Sequence, residues 1–138
     1  MGEARDVMDR VTTAIFSKDF STAAKIYAPD AVAETPDEGE IRGAEAIAEW
    51  TKEFMVALPD AGYESGHEYE VGNVAIDEGW AVGTNTGPLK APDGSTIPAT
   101  GRSVRLRVCD VATVEDGHIT SHRFYYDQME FLGQLGLG

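Results

Sequence analysis

Apolar residues recur at helical spacing as far as Leu58, alternate as in strands from Tyr63 onward, and change habit across Pro59-Asp60. Proline disfavours helical geometry in the residue before it, so a helix reaching Leu58 stops there. A run of helices followed by a run of strands is the signature of an α+β domain. The chain has 138 residues, 42% of them hydrophobic, which suits one domain over residues 1–138 with a core of its own.

Val7, Met8, Val11, Ala14 and Ile15 predict a first helix. Phe20, Ala23, Ala24 and Tyr27 predict a second, shorter one that Pro29 ends. Ala31–Thr35 reads as a short strand and Pro36-Asp37-Glu38-Gly39-Glu40 as an acidic turn. The third helix, Gly43–Leu58, carries the apolar stripe Ile47, Trp50, Phe54, Met55 and Leu58. Beyond it, Tyr63–Ile76, Trp80–Thr86, Val104–Val114 and Ile119–Tyr126 read as strands. Asp77-Glu78-Gly79 is expected as a turn, Gly87–Pro98 as a loop, and Glu115-Asp116-Gly117-His118 as a hairpin. Three helices packed on a curved antiparallel sheet enclose a pocket, and such pockets commonly take apolar small molecules.

Other functions are disfavoured. With 11 basic and 24 acidic residues the net charge is −13, which repels nucleic-acid backbones and anionic membrane surfaces. No apolar run approaches the roughly 20 residues of a membrane span, and the N-terminus lacks the pattern of a signal peptide. The single Cys109 cannot form an internal disulfide, and a cytoplasmic location is expected. His67, His118 and His122 have no recognised zinc spacing, and neither a P-loop nor a GxGxxG motif is present, so no metal and no cofactor are expected.

Leu58-Pro59-Asp60, Gly83-Thr84-Asn85-Thr86-Gly87, Ile97-Pro98-Ala99-Thr100-Gly101-Arg102, Val114-Glu115-Asp116-Gly117-His118-Ile119, and Tyr126-Asp127 followed by Leu135-Gly136-Leu137 occur in the order seen in SnoaL-like proteins. The chain resembles that family of the NTF2-like superfamily over essentially its whole length. The resemblance implies a cone-shaped α+β fold with a deep pocket, a homodimer formed through the sheet, and cofactor-free chemistry. The characterised members are aromatic polyketide cyclases that close a ring by aldol condensation. A buried carboxylate removes an acidic C–H proton there, and polar groups hold the enolate. Ketosteroid isomerase, scytalone dehydratase and limonene epoxide hydrolase share the fold. Two positions depart from the pattern. Asn85 stands where members often read Gly-Thr-His-Thr-Gly, and Phe124 stands where many carry the aspartate of a His-Trp-Asp triplet.

That departure leaves Asp127, at the family's next aspartate, as the candidate base, with Asn85 as the candidate partner for an enolate oxygen. Each has a second reading: Asp127 opens an Asp-x-x-Glu helix cap leading to Leu135, and Asn85 makes local hydrogen bonds at a strand end. Tyr27, Trp50, Phe54, Phe124, Tyr125, His122 and Arg107 are the candidate substrate-binding residues, His122 being either an acid/base group or a structurally bonded histidine. Arg107 either caps an anionic group or pairs with surface acid. Strand alternation puts Asp127, Tyr125 and Arg123 on one face and His122, Phe124 and Tyr126 on the other. A two-residue turn sets Asp127 opposite Leu106, a bulge at Gly117 sets it opposite Arg105, and a bulge within the return strand resets both. The functional readings are a cofactor-free enzyme on a polyketide-like or other cyclic ketone, a non-catalytic binder of an apolar or aromatic small molecule, and a dimeric scaffold.

Overall fold

A computed structural model describes residues 2–91 and 93–137. Helix α1 (Glu3–Phe16) buries Val7, Met8, Val11, Ala14 and Ile15 along one stripe. Its first turn has no cap from Gly2; instead the Glu70 carboxylate accepts from the backbone N–H groups of Gly2 (3.1 Å) and Arg5 (2.9 Å), which ties the helix to the sheet. Asp19 caps α2 (Phe20–Ile26) through Thr22 N–H. The helix ends earlier than Pro29 because Tyr27 already has extended geometry and opens strand β1 (Tyr27–Thr35). A short β2 (Gly39–Arg42) follows, and α3 (Ala44–Ala57) lays Ile47, Ala48, Thr51 and Met55 inward.

The remaining strands are β3 (Gly62–Val71), β4 (Val74–Thr84), the two-residue pair β5 (Leu89–Lys90) and β6 (Thr96–Ile97), β7 (Ser103–Glu115) and β8 (His118–Tyr125), before α4 (Gln128–Gln134). The main sheet runs β2-β1-β8-β7-β4-β3, antiparallel except where β1 lies parallel to β8. That parallel pair departs from the all-antiparallel expectation, and α4 adds a fourth helix where the Asp127 cap suggested one. β5 and β6 form a small hairpin inside the expected loop.

Asp77-Glu78-Gly79, expected as a turn, lies inside β4. The turn is Gly72-Asn73, where Gly72 takes φ +59° between the paired Val71 and Val74. Asp77 stays in the strand because it faces inward to an arginine, and Gly79 because it leaves room for a ring. A Cβ at Gly79 would stand 2.6 Å from Tyr63 Oη.

The last hairpin decides what faces the cavity. Asp116 (φ +53°) and Gly117 (φ +76°) form a two-residue turn that pairs Glu115 with His118. The register then slips: Val114 pairs with Ile119 but Thr113 with Ser121, so Thr120 is bulged out. Tyr125 consequently sits opposite Cys109 and His122 opposite Ala112. Neither simple register is adopted, and His122 and Phe124 turn inward. β8 leaves β7 after Cys109, and the Gln134 amide of α4 takes over: its Oε1 accepts from Arg105 N–H (2.8 Å) and its Nε2 donates to Arg105 C=O (2.9 Å). This satisfies an otherwise open strand edge and seats α4 across the end of the cone.

Candidate active site

Strand β7 carries Leu106, Val108, Asp110, Ala112 and Val114 on its inward face, by the period of two. The acid in that apolar row is directly opposite Asp77 of β4, and register partners share a face. Two carboxylates therefore meet on the cavity wall. The cavity lies between the concave sheet and α1 and α3, and measures about 160 Å³. That is close to the roughly 150 Å³ of a cavity that takes up benzene. Its buried part thus holds one ring, and a larger ligand must extend through the mouth.

Each carboxylate is held differently. Asp110 Oδ2 lies 2.6 Å from His122 Nε2, and His122 Nδ1 lies 2.7 Å from Tyr27 Oη. In the tautomer that satisfies both contacts, Nε2–H donates to Asp110 and the Tyr27 hydroxyl donates to Nδ1. His122 and Tyr27 are 1% exposed, so the chain of donors runs from the cavity wall into the core. Burial, and then the charge of Asp110, push the Tyr27 phenol far above its ordinary range, so it remains a neutral donor. Asp77 lies 2.6 Å from Arg5 Nη2, a contact that is an ion pair without hydrogen-bond alignment. Burial and the nearby Asp110 charge push the Asp77 carboxyl up to about 6, against the pull of Arg5. Arg5 is itself buried; its desolvation is more than offset by Asp9 and Asp77, and it stays charged.

The Tyr63 ring covers Gly79, and its buried hydroxyl makes no hydrogen bond. Burial and the charges of Asp77 and Asp110 push this phenol up as well. Phe124 stacks on His122 (centroids 4.0 Å apart) and packs against Trp50 (4.9 Å). Trp50 Nε1–H donates to both oxygens of Asp37 at 3.2 Å, and Thr35 Oγ1 donates to the same carboxylate at 2.7 Å. Burial, then Asp37, push the Tyr126 hydroxyl up at the same place.

Of the residues expected at the site, His122, Trp50, Phe54, Phe124 and Tyr125 line the cavity. Tyr27 does not reach it and acts through His122. Asp127 is corrected from base to helix cap: its Oδ1 accepts from the N–H groups of Met129 (3.0 Å) and Glu130 (3.1 Å), and it lies outside the inner wall. The local hydrogen bonds that favour aspartate at an N-cap decide its place. Asn85 is corrected likewise. Its Nδ2 donates to the carbonyls of Ala57 and Gly87, each at 3.0 Å, and its Oδ1 accepts from Thr100 N–H (2.8 Å) and Oγ1 (2.9 Å). A fully engaged, fully buried amide has nothing left for an enolate. Arg107 faces the opposite side of the sheet, over the ring of Trp80 at 4.7 Å, and does not line the inner cavity; with Asp127 it borders a more open outer pocket.

Asp110, Asp77, Tyr63 and Arg5 went unrecognised in the sequence. The signal for Asp110 was present, since an acid on the apolar face of a long strand has to be buried against something. Asp77 was hidden by its turn-like neighbours, and Arg5 by its place on a helix that otherwise reads as amphipathic. Among the described residues no group of three His, Cys, Asp or Glu side chains is arranged to hold a metal ion. No helix among them is long and apolar enough to cross a membrane.

A family model described as SnoaL-like domain matches residues 8–122. Comparison with curated protein sequences finds no match. Among solved structures, wild-type IdmH of Streptomyces antibioticus, a candidate polyketide cyclase, superposes with TM-score 0.81 at 24% identity over 98% of this chain and 99% of its own. A candidate SnoaL-like polyketide cyclase from Jannaschia Sp. CCS1 gives TM-score 0.86 at 12% identity, covering 99% and 93%. AclR of Streptomyces galilaeus, a candidate hydroxylase, gives 0.81 at 19%, covering 97% and 96%. At these identities the likeness is one of fold.

Proposed function

We propose, for a chain that belongs to the SnoaL-like domain family, that the cavity performs acid/base chemistry on a ring-bearing ketone without a cofactor, as an aldol-type cyclase, an isomerase or a dehydratase. Each of these reactions starts by removing a proton from the carbon beside a carbonyl. In this reading Asp110 takes that proton, and the C–H electron pair moves into the enolate. His122 Nε2–H holds the Asp110 carboxylate in place, and Tyr27 fixes the histidine tautomer. Tyr63 Oη donates to the carbonyl oxygen as it becomes negative, taking the role first assigned to Asn85. Asp77, with its carboxyl near 6, is protonated in part of the population and returns a proton to carbon, or to the oxygen of an acceptor carbonyl.

The observation that carries this reading is the in-register pair Asp77 and Asp110 on an aromatic-walled cavity, beside a buried hydroxyl with no partner. Burial, and then the like charge of Asp110, push Asp77 toward holding its proton, which separates acid from base.

The test is hydrogen exchange at the α-carbon of cyclohexanone and 2-tetralone in D2O, followed by NMR. The protein is expected to accelerate exchange above the buffer rate. Asp110→Asn is expected to remove at least roughly 100-fold of that acceleration, the usual scale of a positioned base. Acceleration that survives Asp110→Asn intact overturns the assignment. Absence of any acceleration favours the second reading, a binder without chemistry. That reading is supported by Phe124, which stacks on His122 where many family members carry an acid.

A further inference from the structure

We infer that the occupant of the cavity carries a positive charge, as an amine or quaternary ammonium on an apolar ring body, with its cationic end against Asp37. The inference rests on the cavity being a ligand site, as proposed above, and not on the chemistry assigned to it.

Charge in the lining is one-sided. Asp37, Glu38, Glu53, Asp77 and Asp110 all border the cavity, while Lys90 is the one lysine or arginine among the described lining residues. Lys90 is already paired with Glu53 at 3.1 Å. Asp77 has Arg5, and Asp110 has His122. Asp37 differs from these: its polar partners are the neutral groups Thr35, Trp50 and Tyr126, and no ion pair reaches it among the described residues. This carboxylate borders the cavity together with Trp50 and Tyr126. A carboxylate without a cationic partner on the wall of an aromatic-lined cavity is the chemistry that recognises ammonium groups on an apolar body, because carboxylate and aromatic walls attract the same sign of charge. An anion at this position meets repulsion, and a neutral hydroxyl gains a hydrogen bond to the carboxylate but no ion pair.

A second, independent feature says that the cavity is built to be occupied. Tyr63 Oη is buried in its wall without a hydrogen-bond partner. Phe124 links the two ends, touching His122 on one side and Trp50 on the other. A ring packed along Phe124 can thus face Asp110 with one end and Asp37 with the other. The overall charge of −13 draws cations toward such a cavity.

Benzylamine, benzyl alcohol and benzoate have one ring each and similar size, and at pH 7 they are cationic, neutral and anionic. Titrated into the protein by calorimetry, benzylamine is expected to bind at least roughly tenfold more tightly than benzyl alcohol, and benzoate more weakly than both. Asp37→Asn keeps an acceptor for Trp50 and Thr35 but removes the charge. It is expected to bring the amine-to-alcohol ratio within about twofold. The indole N–H resonance of Trp50 in the unmutated protein is expected to shift with benzylamine and not with benzoate, which tests the location even if the variant folds poorly. Equal binding of amine and alcohol, tighter benzoate, or a preference that survives Asp37→Asn overturns the inference. Exchange at cyclohexanone that depends on Asp110, found without any amine preference, leaves the proposed chemistry standing and removes this inference. The reverse pattern leaves the cation site and removes the chemistry.

Discussion

Replacing Arg5 by Met tests the electrostatics of the cavity wall through stability alone. The Arg5 side chain is 2% exposed and its Asp77 partner 4%, so neither charge has water to fall back on. Removing one partner of such a pair leaves an uncompensated buried charge, which costs roughly 3–5 kcal/mol. For a chain of this length that corresponds to a fall in Tm of roughly 10–15 °C. The second arm of Arg5, to Asp9, adds little because Asp9 is 53% exposed.

The pH dependence carries the sharper signature. Asp77 is an acid whose folded pKa, about 6, lies above its ordinary 3.8, so the folded protein holds this proton more tightly than the unfolded chain. The stability it contributes is therefore fully present below 3.8, is lost as pH rises through 6, and is level above about 7. The span is worth about 3 kcal/mol. Without Arg5 the upper edge of the window moves above 6, so Tm of Arg5→Met falls further between pH 6 and pH 8, most distinctly above about pH 7, where this group leaves the unmutated protein level. Thermal melts followed by circular dichroism at pH 5, 6, 7 and 8 read both effects. The double variant Arg5→Met with Asp77→Leu is expected to recover most of the loss, since it removes the stranded charge as well. A single variant that loses less than about 1 kcal/mol, with no added slope between pH 6 and 8, would refute the buried ion pair as described.

Asp127→Ala removes the cap of α4 and is expected to cost about 1 kcal/mol, a Tm loss of roughly 3 °C, with ketone exchange within about twofold of the unmutated protein. An exchange loss of 100-fold at unchanged Tm would restore Asp127 as the base. Asn85→Ala strands the Ala57 and Gly87 carbonyls and the Thr100 N–H in the interior, and is expected to cost about 3 kcal/mol, measured by urea unfolding. A variant as stable as the parent contradicts the structural role. Tyr27→Phe leaves His122 Nδ1 without its partner and is expected to cost roughly 1–3 kcal/mol; an unchanged midpoint in the same assay argues against the Tyr27–His122 bond.

Much of the architecture follows from local chemistry that a linear sequence carries. The stripes of α1 and α3, the stop at Pro59, the Asp116-Gly117 turn and the Asp127 cap each depend on residues within a few positions of one another. The SnoaL-like motifs identified the family. The apolar stripe of α3 and the residues of β8 offered Trp50, Phe54, His122, Phe124 and Tyr125 as candidates, and all five border the cavity. Asp127 was legible only as a choice between cap and base, because the same residue type suits both.

Tertiary structure alone decided the rest. The bulge at Thr120 comes from the pairing of two strands, and a slip of one residue exchanges the faces of β8, so whether His122 or Arg123 looks inward cannot be read along the chain. The pairing of Asp77 with Asp110 depends on the β4–β7 register across a separation of more than thirty residues. The burial of Arg5 beside Asp77 depends on where α1 crosses the sheet. Sequence sets which residues alternate and where helices begin and end, because those are nearest-neighbour effects. Which charges meet inside the cone is set by register and packing, and the cost of burying a charge then makes those few meetings the chemistry of the site.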